Sequence, residues 1–232
     1  MKLGVFADPH YSSAELTCGR RYNSRSLEKI ERALAHFAAE GCDLIVCLGD
    51  LIDREETHAR EIENLRHVGE LFDACPIDII AMRGNHDGFA FHEKEFYEVL
   101  GERCRPRSLC IEGKHLFFAD ACYFEDGRPY QPGEGDWTDT FFPAVDILKT
   151  FLHDTRGVVY VFMHQNIDPS VPENHRLRND AEVRRLLEES GRVATVFQGH
   201  YHHGAETVEN GIHYLTLPAM CECEDGYHVI EI

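Results

Sequence analysis

Leu44-Ile45-Val46-Cys47-Leu48-Gly49-Asp50-Leu51-Ile52-Asp53-Arg54 is an apolar run that stops at a glycine and then presents two carboxylates in quick succession. Asp43 to Leu48 has the length and composition of a short buried strand. The same grammar recurs on either side of it. Lys2 to Ala7 runs into Asp8-Pro9-His10, and Ile77 to Met82 runs into Arg83-Gly84-Asn85-His86-Asp87. Further on, Val158 to Met163 runs into His164, and Val193 to Phe197 runs into Gly199-His200-Tyr201-His202.

Between these strands lie amphipathic helices. Ser24 to Glu40 puts Leu27, Ile30, Leu34 and Phe37 on one face and stops at Gly41; Glu55 to Asp73 does the same with Ile62, Leu65, Val68 and Phe72. Helices are also predicted over Phe91 to Leu100, Pro143 to His153 and Asp180 to Ser190. A hairpin joins 109–111 to 115–119, and the end of the chain reads as antiparallel strands at 205–208, 212–217 and 227–232, with a turn at Asn210-Gly211. Alternating helices and strands followed by meandering strands predict an α/β fold: two packed mixed β-sheets flanked by helices, a four-layer αββα sandwich forming a single domain over residues 1–232. In such sheets ligands bind beyond the carboxyl ends of the strands, so the five polar motifs are expected at one edge.

Composition narrows the function. The 232 residues carry 41 acidic and 23 basic side chains, a formal charge of −18, whereas proteins that grip nucleic acid by its phosphates show a basic face. Extended nucleic acid is therefore an unexpected partner, and a nuclease reading is disfavoured. Small phosphate substrates stay open, because bound cations can reverse the charge locally. No apolar run approaches a membrane span, and Met1 to Ala7 is too short for a signal-peptide core, so a cytoplasmic location and no membrane partner are expected. The nine scattered cysteines are expected to be reduced, and Cys221/Cys223 is expected to be a strand-end pair in preference to half of a zinc site. Nothing in the sequence sets an oligomeric state.

The residue types at the strand ends suit divalent metals: imidazole for Zn, Fe or Mn, with carboxylates as hard oxygen donors. One carboxylate can be shared by two ions about 3.5–4 Å apart. The glycines at 49, 84 and 199 are expected to let the backbone turn sharply, so that the next side chain faces the metals. Each motif alone fits an ordinary loop. Their combination, each after an apolar strand, is specific.

In that combination the chain resembles the calcineurin-like metallophosphoesterase superfamily, whose pattern is D-x-H, G-D-x-x-D, G-N-H-[DE], a lone His and G-H-x-H. The resemblance spans nearly the whole chain. It implies one metal held by Asp8, His10, Asp50 and His202, and a second held by Asp50, Asn85, His164 and His200, with Asp50 bridging. It further implies His86 beside the substrate phosphate as the proton donor, with Asp53 orienting it, and Arg54 as a phosphate contact. Two divalent ions (Mn, Fe or Zn, with Mn favoured by a ligand set lacking thiolate) are the implied cofactors. A narrower likeness joins Gly19-Arg20-Arg21-Tyr22-Asn23-Ser24-Arg25-Ser26-Leu27 to the manganese-dependent ADP-ribose/CDP-alcohol diphosphatases; this group's proline two residues after the lone histidine is replaced here, where His164 is followed by Gln165-Asn166.

The resulting expectation is a phosphohydrolase acting on a small phosphodiester or a nucleotide pyrophosphate. Arg21, Tyr22, Arg54 and Asn85 are its candidate substrate contacts. A phosphomonoesterase of the same fold and a non-catalytic binding scaffold are the alternatives. Tyr11, Tyr22 and Tyr130, in loops long enough to wall in a ligand, are candidates to stack on a base. His36, His58, His67 and His92 are expected at the surface, and His203 is expected to point away from the metal pair.

Overall fold

In the computed structural model, which describes residues 1–232, two sheets lie face to face between two layers of helices. The first sheet has the order β10 (Tyr227–Glu231), β1 (Lys2–Phe6), β2 (Leu44–Cys47), β3 (Ile79–Ala81). The second has the order β4 (Leu109–Ile111), β5 (Lys114–Ala119), β6 (Val158–Met163), β7 (Val193–Gln198), β9 (Ile212–Thr216), β8 (Ala205–Glu209). Both are parallel in the middle with antiparallel strands at an edge.

Strand alternation builds three cores from this arrangement. Val5, Leu44, Val46 and Ile80 of the first sheet meet Leu116, Tyr160, Phe162 and Phe197 of the second. The opposite faces point to helices. Phe6, Ile45 and Cys47 pack against α1 (Ser26–Glu40), α2 (His58–Ala74) and α4 (Glu93–Leu100). Val159, Val161 and Met163 pack against α5 (Val145–Asp154) and α6 (Asp180–Ser190). The expected four layers are therefore present, and no helix is long and apolar enough to cross a membrane.

Departures from the sequence reading have local causes. α2 begins three residues later than its apolar stripe suggests, because Thr57 caps it by accepting from the amide of Arg60. A six-residue helix, α3 (Asn85–Ala90), is unanticipated; it is too short for an apolar period and contains Gly88. The last three strands do not form one meander. β8 and β9 pair, as the Asn210-Gly211 turn requires, with both residues left-handed (φ 51° and 82°), but β10 crosses to the other sheet and pairs with β1. Cys221 and Cys223 lie in the crossing loop, not at a strand end, and all nine cysteines are free.

Candidate metal and active site

The chain leaves β1, β2, β3, β6 and β7 on one side of the sandwich, and the five motifs converge there. Asp8, His10, Asp50 and His200 all adopt the left-handed backbone conformation, with φ of 54°, 47°, 53° and 66°. None is glycine, so each is strained by roughly 1–2 kcal/mol. The strain is held by main-chain bonds between neighbouring loops: Asp8 N donates to Gly49 O at 3.1 Å and His10 N to Asp50 O at 2.9 Å.

The glycines play a different part from the one expected. Gly49 does turn with positive φ, but Gly84 and Gly199 do not. They are places of close approach: a Cβ on Gly84 would sit 2.1 Å from Asp50 Oδ1, and one on Gly199 would sit 2.7 Å from Asp8 Oδ2. The turning is done by the donor residues themselves. Asp87, which carried no role in the sequence reading, ties two motif loops together. Its carboxylate accepts from the amides of Gly84 (2.9 Å), Leu51 (3.0 Å) and Ile52 (3.3 Å).

The donor atoms gather in two overlapping groups. In the first, His10 Nε2 is 3.2 Å from His202 Nε2, 3.4 Å from Asp50 Oδ2 and 3.8 Å from Asp8 Oδ1, and His202 Nε2 is 3.5 Å from Asp8 Oδ1. In the second, His164 Nε2 is 3.2 Å from Asn85 Oδ1 and 3.3 Å from Asp50 Oδ2, with His200 alongside. Asp50 Oδ2 thus stands between the two groups. Donors about 2.0–2.2 Å from a shared ion lie roughly 3–3.5 Å apart, close to these separations.

Protonation chemistry agrees with a cation site. Nδ1 of His164 donates to Leu48 O at 2.9 Å and Nδ1 of His202 donates to Glu222 at 2.5 Å, which turns both Nε2 atoms inward. The buried Nε2 of His200 has no hydrogen-bond partner. Burial, with the charge of His164, pushes the His200 imidazole down to about 3, and burial with His86 holds His10 well below its ordinary value, so both keep a free lone pair. Burial opposes ionisation of Asp8, yet His202 and His164 hold it at about 2. At His164 burial favours the neutral ring, but the Asp50 carboxylate outweighs it and raises the group to about 9. The neutral nitrogens of His10 and His200, the ionised Asp8 carboxylate and the orphaned Nε2 of His200 fit divalent ions, while His164 and His202, whose basicity is raised against burial by Asp50 and by Asp8 and Glu222, give up a proton to join them. Sequence reasoning missed Glu222, which lies far from every motif.

His86 stands beside this cluster. Its Nδ1 donates to Asp53 Oδ1 at 2.9 Å, and its amide donates to Asp50 Oδ1 at 2.8 Å. Burial lowers its basicity, but Asp50 and the bonded Asp53 outweigh this, and the net shift is upward. Arg21 Nη1 is 3.5 Å from Asp53 Oδ2.

A cavity of about 530 Å³ opens over the cluster, walled by Arg20, Arg21, Trp137, His175, Tyr201 and His203 above Asp50, Asn85 and His86. A second lobe of about 290 Å³, lined by Asp53, Arg54, Phe89, Gly135, Asp136 and Trp137, shares Asn85 and His86 with the first. Arg21, Arg54 and Asn85 therefore reach the cavity. Tyr22 does not: its amide donates to Cys221 O, and its ring is exposed outside both lobes. Tyr130 is buried with its hydroxyl on the carbonyls of Asp136 and Asp139, and Tyr11 packs near His67. The aromatic residues that line the cavity are instead Tyr201, Phe89 and Trp137, the sole tryptophan. His203 lines the cavity, with Nε2 3.5 Å from Arg20 Nη1, and does not point away. His36, His58 and His92 are exposed and His67 half-buried.

Comparison with known proteins places the fold and the family. The chain is 24% identical over 234 residues to the 3′,5′-cyclic adenosine monophosphate phosphodiesterase CpdA of Haemophilus influenzae, covering 95% of this chain and 77% of the relative. Its fold resembles that of a dimetal phosphatase from Danio rerio, with a TM-score of 0.82 at 18% identity, covering 95% of this chain and 88% of the other. It also resembles TT1561 of Thermus thermophilus, with a TM-score of 0.60 at 12% identity over 95% and 90% of the two chains. The family model for calcineurin-like phosphoesterases matches residues 1–204, and the chain belongs to that family of metal-dependent phosphoester hydrolases.

Proposed function

We propose that the chain hydrolyses a small phosphodiester or a pyrophosphate-linked nucleotide, with two divalent ions held by Asp8, His10, Asp50 and His202 and by Asp50, Asn85, His164 and His200. The observation that carries the reading is the two-lobed cavity, whose lobes meet at Asn85 and His86. A phosphate esterified on two sides needs room for two substituents; a monoester needs only one. The 24% identity to a cyclic-nucleotide phosphodiesterase and the diphosphatase-like segment that carries Arg21 into the cavity support the same class.

When bound, the ions supply Lewis acidity toward a phosphoryl oxygen and make water easier to deprotonate. The protein's own groups do the rest. Arg21 offers positive charge to the phosphate side of the large lobe. His86, kept protonated by Asp53, delivers a proton to the departing oxygen. Arg54 waits at the rim of the small lobe. Manganese is the preferred ion, since the seven proposed donors are imidazole and oxygen; the Cys221 thiol beside His10 and His202 is pushed up by burial and stays protonated.

The test is a kinetic panel at fixed Mn²⁺ with bis-nitrophenyl phosphate, nitrophenyl phosphate, a cyclic nucleotide, ADP-ribose and a CDP-alcohol. A diester or diphosphate should give the highest kcat/KM. A monoester at least tenfold above every diester and diphosphate would overturn the reading.

A further inference from the structure

The two lobes differ in chemistry. The large lobe carries the guanidinium groups of Arg20 and Arg21, suited to phosphate and ribose phosphate, with His175 and His203 beside them. The small lobe is narrower and presents flat groups: the ring of Phe89, the Arg54 guanidinium lying 5.2 Å over it, and the indole of Trp137.

Trp137 is the informative residue. It is 43% exposed although it is the only tryptophan in the chain, and large apolar side chains left in water at a cavity edge ask for a ligand. Its backbone, by contrast, is pinned. The Tyr130 hydroxyl shares its single proton between the carbonyls of Asp136 and Asp139 on either side of it, and Asp136 Oδ1 accepts from the amide (2.9 Å) and hydroxyl (2.8 Å) of Thr138. Tyr130 itself is buried against Gly88 and Gly135. The hydrogen bonds of the loop thus hold an indole out at the boundary of both lobes, next to His175 at a ring separation of 5.0 Å. An aromatic plate on a pinned backbone, in the same lobe as a second flat stack and with the reacting centre at one end, suits a planar ring.

We infer that the small lobe is a nucleobase subsite in which the base of the substrate stacks on Trp137, within the lobe that Phe89 and Arg54 also line, while the anionic half of the substrate occupies the large lobe. This rests on the phosphoester reading of the cavity and adds to it which substituent goes where. Stacking of this kind accepts purines and pyrimidines alike, because every base has a π-face.

The experiment measures binding and is therefore separable from the kinetic panel. AMP and ribose 5-phosphate share the phosphate and sugar and differ in the base. Calorimetry on the Mn²⁺-loaded protein should give AMP an affinity at least tenfold above ribose 5-phosphate, within the roughly 5- to 150-fold that stacking provides. AMP, and not ribose 5-phosphate, should also change the emission of the single tryptophan. Trp137→Leu should bring AMP down to the ribose 5-phosphate level, and Trp137→Phe should keep most of the preference. Phe89→Leu, in the same lobe, should reduce it partially. Affinities of AMP and ribose 5-phosphate within threefold in the wild type would overturn the inference, as would a base preference surviving intact in both Trp137→Leu and Phe89→Leu.

Discussion

Glu222 Oε1 lies 2.5 Å from Nδ1 of His202, and the same oxygen is 3.1 Å from Nε of Arg20. One carboxylate therefore sets the ring orientation of a candidate metal ligand and holds an arginine of the cavity wall. It is placed by a buried lysine: Lys29 Nζ donates to the carbonyls of Met220 (2.9 Å), Cys221 (3.3 Å) and Cys223 (2.7 Å), the residues around Glu222. Glu222→Gln should weaken binding of the ion nearest His202 by roughly 10- to 100-fold. Metal-binding calorimetry reads this directly. Wild-type affinity in the variant would remove Glu222 from the site.

The His86–Asp53 pair predicts a pH effect with a definite sign. Asp53 contributes to raising the His86 imidazole, so Asp53→Asn should lower it and shift the alkaline limb of kcat/KM to lower pH. His86→Asn should keep both ions and lose roughly 10²–10⁴-fold in kcat. The loss should shrink for nitrophenolate leaving groups, which need little protonation. An equal loss for good and poor leaving groups would assign His86 to phosphate positioning.

Metal uptake should itself depend on pH. In the metal-free protein the Asp50 carboxylate raises His164 to about 9, so at neutral pH an arriving ion must displace a proton from it. Affinity should therefore rise with pH, by up to about tenfold per unit below that value. For the chelated protein the sign reverses. A raised histidine contributes stability that is full below its unfolded value of about 6.5 and fades as pH climbs through its folded value. Proton release on titration with Mn²⁺, followed in weakly buffered solution, tests the first statement; melting in excess chelator across pH 6–9 (about the window between the two values) tests the second.

Crowding at Gly84 gives a structural test. A Cβ at this position would lie 2.1 Å from Asp50 Oδ1, so Gly84→Ala must displace that carboxylate. Ion occupancy should fall at both groups, since Asp50 Oδ2 stands between them, and elemental analysis should find Asp50→Ala the most depleted of all single variants. Full occupancy in Asp50→Ala would refute its bridging position.

A fifth expectation concerns stability away from the reaction. Arg83 is 2% exposed and its guanidinium meets Asp120 Oδ2 at 2.6 Å and 3.1 Å. Asp120→Ala strands that buried charge and should cost about 3 kcal/mol in urea unfolding.

The strand ends were readable because their chemistry breaks the apolar pattern abruptly, as where Ile79–Met82 gives way to Arg-Gly-Asn-His-Asp, and because the break recurs after five strands. The layers were readable because alternate residues of β2 and β6 are apolar on both faces. What escaped had no local signal. Glu222 reaches His202 across twenty residues only because β10 crosses to the first sheet, and that crossing follows from which strand edge is free. Trp137 carried no signal of its own, because its position is set by Tyr130, whose hydroxyl holds the carbonyls of Asp136 and Asp139. Tyr22 misled in the opposite direction: its neighbours Arg20 and Arg21 do face the cavity, but the Thr17–Arg21 turn and the amide bond to Cys221 send the next ring outward.

The seven proposed donor positions are divided between the two sheets. Asp8, His10, Asp50 and Asn85 follow strands of the first, and His164, His200 and His202 follow strands of the second. An ion shared across that divide is a rivet through the interface: prising the layers apart and letting the ion go become one event. The melting temperature of this protein should then act as a gauge of free divalent metal, climbing with the logarithm of its concentration.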